Sequence, residues 1–523
     1  MREYKSFIRY KKIGSGEYAY QISHYWDEKK KKIRQKSKYL GKVTEEGIKR
    51  VRGVVIEKPL RAVDYGDVYV VEEMLKETGL KEILKEVFGE RESKKMLVLA
   101  INRVIEGVAL KDIEEWYEGK YLREVYGEKL GLSSSSLSRF LEKVGKEERL
   151  HIEFFLRWWE RMGGGIKGIF YDITSLSSAS KKINLLEWGY NRDGENLPQV
   201  NVGLVVRIGD HLPLYYKVFP GSIPDVVTLR SLLREVKILA RAEETLLVLD
   251  RGFYSGRNLK ELEKEGIRFL LPLPFSLKIA RKIVSRERRK VEIPENIHRY
   301  EGRIIGVVEG EEEIQGVKVH YYLYHDPERE EEERRRFFEK LTEIEEKIEA
   351  KELRRGERMK DVVEEIAEKF ACYLSFRREG NRIKVKRKNK AISRVLNRMG
   401  KEIIISSDIL PWDVILHLYQ SKEGIERAFR SIKNELEGLP LRVHKEETLR
   451  GYLFITFLSL ILRSHILERM RESGLGKKLS LNALFLSLRK LRLVGFQKSS
   501  YLTEVSKKQR EILEKLKILM PKN

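Results

Sequence analysis

Four polar residues near the end of the chain restrict its architecture more than any other stretch. Tyr419, Lys422, Glu426 and Lys433 stand at offsets of three, seven and fourteen residues. On a continuous α-helix turning ~100° per residue, all four side chains fall in a stripe roughly 60° wide. Ile425, Phe429, Ile432 and Leu436 form an apolar stripe immediately beside it. A helix with that pattern is half buried, and its row of one carboxylate, two cations and a phenol borders the buried face. Such a row needs a sheet edge to look into and suits a divalent metal and a phosphate better than a core. Glu423 lies about 40° to the other side of Tyr419, so helical angle alone leaves Glu423 and Glu426 both open as the acid of this helix.

Two upstream strands supply matching acids. Gly168-Ile-Phe-Tyr-Asp-Ile-Thr174 and Thr245-Leu-Leu-Val-Leu-Asp250 each read as an apolar strand ending in an aspartate, Asp172 and Asp250. The C-terminal edge of strands is where α/β sheets build their sites. Each acid alone is also compatible with a turn, Asp172-Ile-Thr174 or Asp250-Arg-Gly252.

The 523 residues exceed what one core supports, so several domains are expected. Lys and Arg outnumber Asp and Glu by 105 to 81, a net charge of +24, which points to a polyanionic partner, nucleic acid first. The longest apolar run, Gly451 to Leu462, is too short for the ~20 residues of a membrane span and reads as a buried core helix. The chain opens without the apolar segment of a secretory signal, and a cytoplasmic location is the expectation. Cys372 is the single cysteine, which excludes an intrachain disulfide framework and a cysteine-based zinc site.

Periodicity and composition divide the chain into five stretches. Residues 1–56 read as a small β module with a basic turn, Asp27 to Lys32. Residues 57–150 read as helices over Val71 to Phe88, Lys94 to Val108 and Leu110 to Tyr117, followed by the serine-capped segment Gly131 to Val144, which has the form of a DNA recognition helix and equally of a plain capped surface helix. Residues 151–275 read as three strands, then helix, strand, helix, strand, and 401–470 as helices that rejoin this α/β core. Residues 276–400 interrupt it with β-like segments, a charged helix or helix pair over Glu328 to Lys369, and a basic stretch from Arg377 to Lys390 suited to phosphate. Residues 471–523 read as a basic helical tail.

Three carboxylates without His or Cys make an all-oxygen donor set, which favours Mg²⁺ or Mn²⁺, and two such ions suit in-line phosphoryl transfer. In this setting Asp172, Asp250 and Glu426 are the candidate catalytic and metal-binding residues, and Tyr419, Lys422 and Lys433 the candidate DNA contacts. The three acids resemble the D-D-E triad of insertion-sequence transposases. The spacing Y-x2-[R/K]-x3-E-x6-K from Tyr419 to Lys433 is similar to the YREK signature of their IS-four-type branch. Tyr171-Asp-Ile-Thr-Ser175, Phe219-Pro-Gly-Ser-Ile-Pro-Asp225, Leu249-Asp-Arg-Gly-Phe-Tyr254 and the apolar helix after Arg450 agree with it, over roughly residues 160–470. The resemblance implies an α/β, RNase H-like mixed sheet flanked by helices, with residues 276–400 inserted between the second aspartate and the glutamate. It also implies binding to double-stranded DNA at terminal inverted repeats, a homodimeric synapse, and metal-dependent cleavage and strand transfer at 3′ ends. A nuclease that cuts without joining, and a non-catalytic DNA-binding descendant, are the alternatives. Lys422 stands where the family usually has arginine, which keeps the charge but loses the bidentate fork. Asp225 lies in a matching segment and reads as a helix cap or turn residue.

Overall fold

The computed structural model describes residues 6–27, 31–49, 55–56, 59–162, 168–240, 245–436, 443–497 and 499–521. The chain forms two compact units, one of Met1–Leu141 with His465–Asn523, the other of Glu142–Ser464.

The first unit opens with a five-stranded antiparallel sheet of Phe7–Ile13, Gly16–Asp27, Lys32–Thr44, Gly47–Lys49 and Val55–Ile56 in sequential order. Its core is small, built on Ala19, Leu40 and Ile48. Residues 28–30 of the lysine-rich turn lie outside the described residues. The helical expectation over Val71 to Phe88 resolves into two helices, Gly66–Thr78 and Leu80–Phe88, separated by Gly79. The tail is not wholly helical: Arg492–Gly495 pairs with Ser500–Leu502 and with Arg61–Asp64. Period-2 alternation is too short in these three- and four-residue strands to be read from sequence.

A buried charge cluster organises this unit and left no local signal. Asp64, Asp67 and Glu106 converge within 4.8 Å of one another. The space between them holds an ammonium: Lys120 Nζ lies 3.1, 2.7 and 2.5 Å from the three carboxylates, with its side chain 3% exposed. Arg489 and Arg492 add further ion pairs. This is a filled ionic lock, its acids already neutralised.

The second unit carries a nine-stranded sheet: β1 (Gly168–Ser177), β2 (Gln199–Arg207), β3 (Pro213–Pro220), β4 (Leu246–Leu249), β5 (Phe269–Pro272), β6 (Ile297–Tyr300), β7 (Arg303–Ile314), β8 (Val317–His325) and β9 (Lys401–Ser406). Their spatial order is β6-β7-β8-β9-β5-β4-β1-β2-β3. β1, β2 and β3 are antiparallel neighbours, and β4 and β5 add parallel to β1. That order and these directions are those of an RNase H-like core. Helices α1 (Glu148–Met162), α2 (Asp225–Ala240) and α3 (Gly256–Lys264) flank it, and the core packs Ile169, Ile173, Leu232, Leu249, Leu262 and Phe269 against one another.

Residues 276–400 divide in two. β6, β7 and β8 extend the main sheet through the pairing of β8 with β9. The helices Pro327–Ala350 and Met359–Ala367 and the hairpin Leu374–Glu379/Arg382–Arg387 close over a separate core of Phe337, Leu341, Ile344, Val362 and Ile383. Most of the basic stretch therefore lies on an ordered hairpin, and its end, Lys390, lies in the helix Asn389–Leu396.

The apolar run beginning at Gly451 lies in the helix Glu446–Glu472. Among the described residues this is the one helix long and apolar enough to cross a membrane, yet 72% of its most apolar stretch is buried inside the protein. His151 of α1 stacks on its Phe454 at 4.3 Å. Burial pushes the His151 imidazole from 6.5 down to about 4, and the Arg450 charge adds to the effect. The unfolded chain therefore binds a proton between those values that the folded chain refuses. Stability is complete above about 6.5 and falls as the pH drops toward 4, by about 3 kcal/mol at most. His151→Phe, which keeps the stack, is expected to flatten that part of the profile in urea unfolding between pH 7 and 4. An unchanged slope would assign the acid sensitivity elsewhere.

Candidate active site

The first two acids meet through strand register. β4 runs parallel to β1 with Leu249 opposite Tyr171, so the next residues, Asp250 and Asp172, lie side by side. Asp172 is not the end of its strand: β1 continues to Ser177, still paired with β2. What ends there is the neighbour β4, and its termination opens one flank of Asp172. The sequence showed an apolar run giving way to polar residues, but antiparallel pairing to β2 keeps Thr174 to Ser177 extended.

The third acid arrives on an interrupted helix. The row from Tyr419 to Lys433 spans α4 (Trp412–Gln420), a break at Ser421 and Lys422, α5 (Glu423–Arg430), and a wider π-type turn, Ser431–Glu435. The single continuous stripe is thus corrected to Tyr419, Glu426 and Lys433 on three helical segments, with Lys422 in the break between the first two. π-bulges occur often at functional positions, and here one carries Lys433. Gly424 explains how α5 comes close enough to the sheet. A Cβ at this position would lie 2.0 Å from Nδ1 of His211, in the β2–β3 turn. Gly424→Ala is expected to push α5 outward and lower turnover at this site about 10²-fold, since shifts of ~1 Å at reacting groups cost that much. Near-wild-type single-turnover rates would show that His211 gives way instead.

Asp172, Asp250, Lys422, Ile425 and Glu426 line one small cavity of about 40 Å³, floored by Tyr171 and Leu249. Glu423 is not among its lining residues; its side chain is 77% exposed and faces Arg427 at 3.8 Å. Geometry therefore separates the two glutamates that helical angle left open.

The two aspartates have opposite electrostatics. Burial pushes the Asp172 carboxyl up to about 7, and the neighbouring Asp250 charge adds to it, against a bond from the Ile173 N–H (2.8 Å) and the charge of Arg192. Burial also works against charge on Asp250, but Lys422 Nζ at 3.1 Å and the Arg251 backbone hold it below the ordinary carboxylate range. Lys422 also donates to the Tyr419 hydroxyl at 3.1 Å. Burial would lower the Lys422 ammonium, but Tyr419 and Asp250 outweigh it and hold it above its ordinary value. Tyr419 is itself buried, which pushes its phenol up to about 12, and its hydroxyl faces Asp250 at 3.4 Å. Lys433 lies apart from this group and pairs with Asp193 at 2.5 Å. Asp225 opens α2 and pairs with Arg192.

An all-oxygen donor set with two adjacent acids that disfavour each other's charge fits a divalent hard cation, which would relieve that repulsion. Sequence reasoning missed Arg192, Asp193 and Gly424. The first two sit on a loop without periodicity, and Gly424 becomes informative only once its neighbour His211 is known.

Comparison with known proteins bears on this geometry. A comparison with curated proteins found no match. Among solved structures, the cryo-EM structure of a piggyBac transposase synaptic complex with hairpin DNA is similar at 10% identity, with 77% of this chain and 70% of that chain covered and a TM-score of 0.38. The Transposase DDE domain family matches residues 163–462, the stretch that contains all three acids and more than half of the chain. The chain belongs to the DDE transposase family.

Proposed function

We propose that this DNA transposase binds the terminal inverted repeats of an insertion sequence and cuts and joins DNA at the pocket of Asp172, Asp250 and Glu426, as a member of the IS-four-type branch. The observation that carries the reading is the convergence of these acids with Lys422 on one cavity where β4 ends. Asp172, Asp250 and Glu426 would hold Mg²⁺ or Mn²⁺, two ions in this reading, which would supply Lewis-acid stabilisation of the negative charge on the reacting phosphate's oxygens. Lys422 exchanges its contact with Asp250 for a strand phosphate, and Lys433 holds a second phosphate. Tyr419 is buried and bonds both Lys422 and Asp250, so its part in the DNA-contact row is to position Lys422. As a lone ammonium, Lys422 makes a less directional phosphate contact than arginine would. The helix Ser134–Lys146, with Ser135, Ser138 and Arg139 exposed, and the basic hairpin Leu374–Arg387 are further DNA contacts in this reading. The working assembly is a homodimer on two DNA ends, in the cytoplasm.

The test is a strand-transfer assay with pre-cleaved DNA ends and Mg²⁺ or Mn²⁺. Joined product is the expected result. Cutting that persists without joined product would replace transposition with a nuclease activity, and no processing at all would leave only DNA binding. Binding is expected to weaken steeply with added salt, because many phosphates are contacted.

A further inference from the structure

The loop between β1 and β2, residues 178–198, presents two large aromatic side chains to solvent: Trp188 is 63% and Tyr190 83% exposed. Exposed aromatics on a mobile loop would say little. This loop is tied down along its length. Glu187 and Gln199 exchange backbone hydrogen bonds at 3.0 Å, Gly221 N–H donates to Leu185 O at 3.2 Å, and Gln199 Nε2 donates to Tyr190 O at 3.0 Å. Gly189, between the two aromatics, sits so close to Gly221 that a Cβ would lie 2.0 Å from its carbonyl oxygen. The aromatics are therefore held outward by the backbone beneath them.

The same loop is joined to the catalytic pocket. Asn191 and Arg192 bond the Ser177 and Ser175 hydroxyls of β1, the strand of Asp172. Arg192 pairs with Asp225, and Asp193 holds Lys433 of the signature row. The Arg192 charge also reaches Asp172. Two loop acids, Glu187 and Asp193, are engaged internally with Ser222 and Lys433, and Lys181, Lys182 and Glu195 are exposed. Two outward-held aromatics on an anchored loop that also carries exposed lysines and is joined to Lys433 have the composition of a single-strand stacking platform.

We propose that Trp188 and Tyr190 stack on an unpaired base of the DNA strand whose phosphates Lys433 and Lys422 hold, so that the enzyme favours ends carrying unpaired nucleotides. The proposal rests on the transposase reading above. Stacking is sequence-tolerant, because every base offers a π-face, and loss of one platform residue is expected to weaken binding about 10-fold.

The test compares the full-length protein, without added metal, on a labelled blunt duplex and on the same duplex with a four-nucleotide single-stranded tail. Wild type is expected to bind the tailed DNA about 10-fold more tightly. In Trp188→Ala and Tyr190→Ala that ratio should fall toward one, and Trp188→Phe should retain most of it. A 2-aminopurine in the tail should be quenched by wild type and not by Trp188→Ala. Melting temperatures should be the same for all variants, since both side chains are exposed. Equal affinity of wild type for the two DNAs, or a tail preference that survives both alanine variants, would overturn the proposal while leaving the transposase reading intact. Failure of wild type to bind either DNA would overturn both. Capture of a protein partner by these aromatics, with no tail preference, would count against the base-stacking assignment.

Discussion

Replacing Asp172, Asp250 or Glu426 by alanine, one at a time, is expected to reduce DNA cleavage and strand transfer on the order of 10³-fold each, since a divalent ion contributes several kcal/mol to the transition state. DNA affinity should persist, because the phosphate contacts in this reading are made by lysines and arginines rather than by the three acids. The informative comparison is Glu423→Ala. Glu423 shares the helix and the residue type but faces Arg427 at 3.8 Å outside the cavity, so its variant should cleave within about threefold of wild type. The effects should also be strongly non-additive: a double variant, Asp172→Ala with Asp250→Ala, should be scarcely worse than either single one, as for groups that act as a unit. Full activity of Asp172→Ala, or a larger loss from Glu423→Ala than from Glu426→Ala, would relocate the site. Metal affinity measured by calorimetry provides a readout independent of turnover, and it should fall for the three triad variants and not for Glu423→Ala.

The second large effect concerns the stability of the unit that does not carry the candidate acids. Lys120→Met is expected to destabilise the unit formed by Met1–Leu141 and His465–Asn523 by about 3–5 kcal/mol, because it leaves buried carboxylates without their shared cation. Asp67 is fully buried and Lys120 is 3% exposed, so water cannot take over. Urea unfolding of the full chain should show the transition of this unit moving to lower denaturant. Restoring the charge with Lys120→Arg should recover part of the loss, limited by the fit of the larger guanidinium. If Lys120→Met unfolded at the wild-type midpoint, Arg489 and Arg492 would have to be carrying the cluster unaided.

These two predictions differ in how much of their basis is visible in sequence. The candidate acids Asp172, Asp250 and Glu426 could be proposed from sequence because their setting leaves local traces. Asp172 and Asp250 each follow an apolar run, and Glu426 sits in a spaced row beside an apolar stripe. The alternation of strands and helices from 168 to 273 was legible for the same reason, since each element's period reports which face is buried. The Lys120 cluster left no such trace. Its acids stand at 64, 67 and 106 and its cations at 120, 489 and 492, and nothing in the local pattern links residue 64 to residue 492. Their contact depends on Arg61–Asp64 pairing with Arg492–Gly495, a long-range register with no local signal.

The sequence by itself determined the kinds of group available and the faces on which they would lie: three candidate acids, two lysines and a tyrosine, with an apolar stripe to anchor their helix. It also determined the α/β core, because hydrophobic period follows directly from residue order. Tertiary structure alone decided the rest. It broke the signature helix into α4, α5 and a π-type turn, because close packing of Gly424 on the turn at His211 and a shared site with Asp250 override the ideal 100° step. It brought Glu426 and not Glu423 to the cavity lining, although the two are residues of the same type on one helix. It also brought the loop of Trp188 and Tyr190 to Lys433, more than 240 residues away from either aromatic. Local propensity acts over a few residues, whereas a site of this kind is assembled by strand register and helix approach, which depend on the whole core at once.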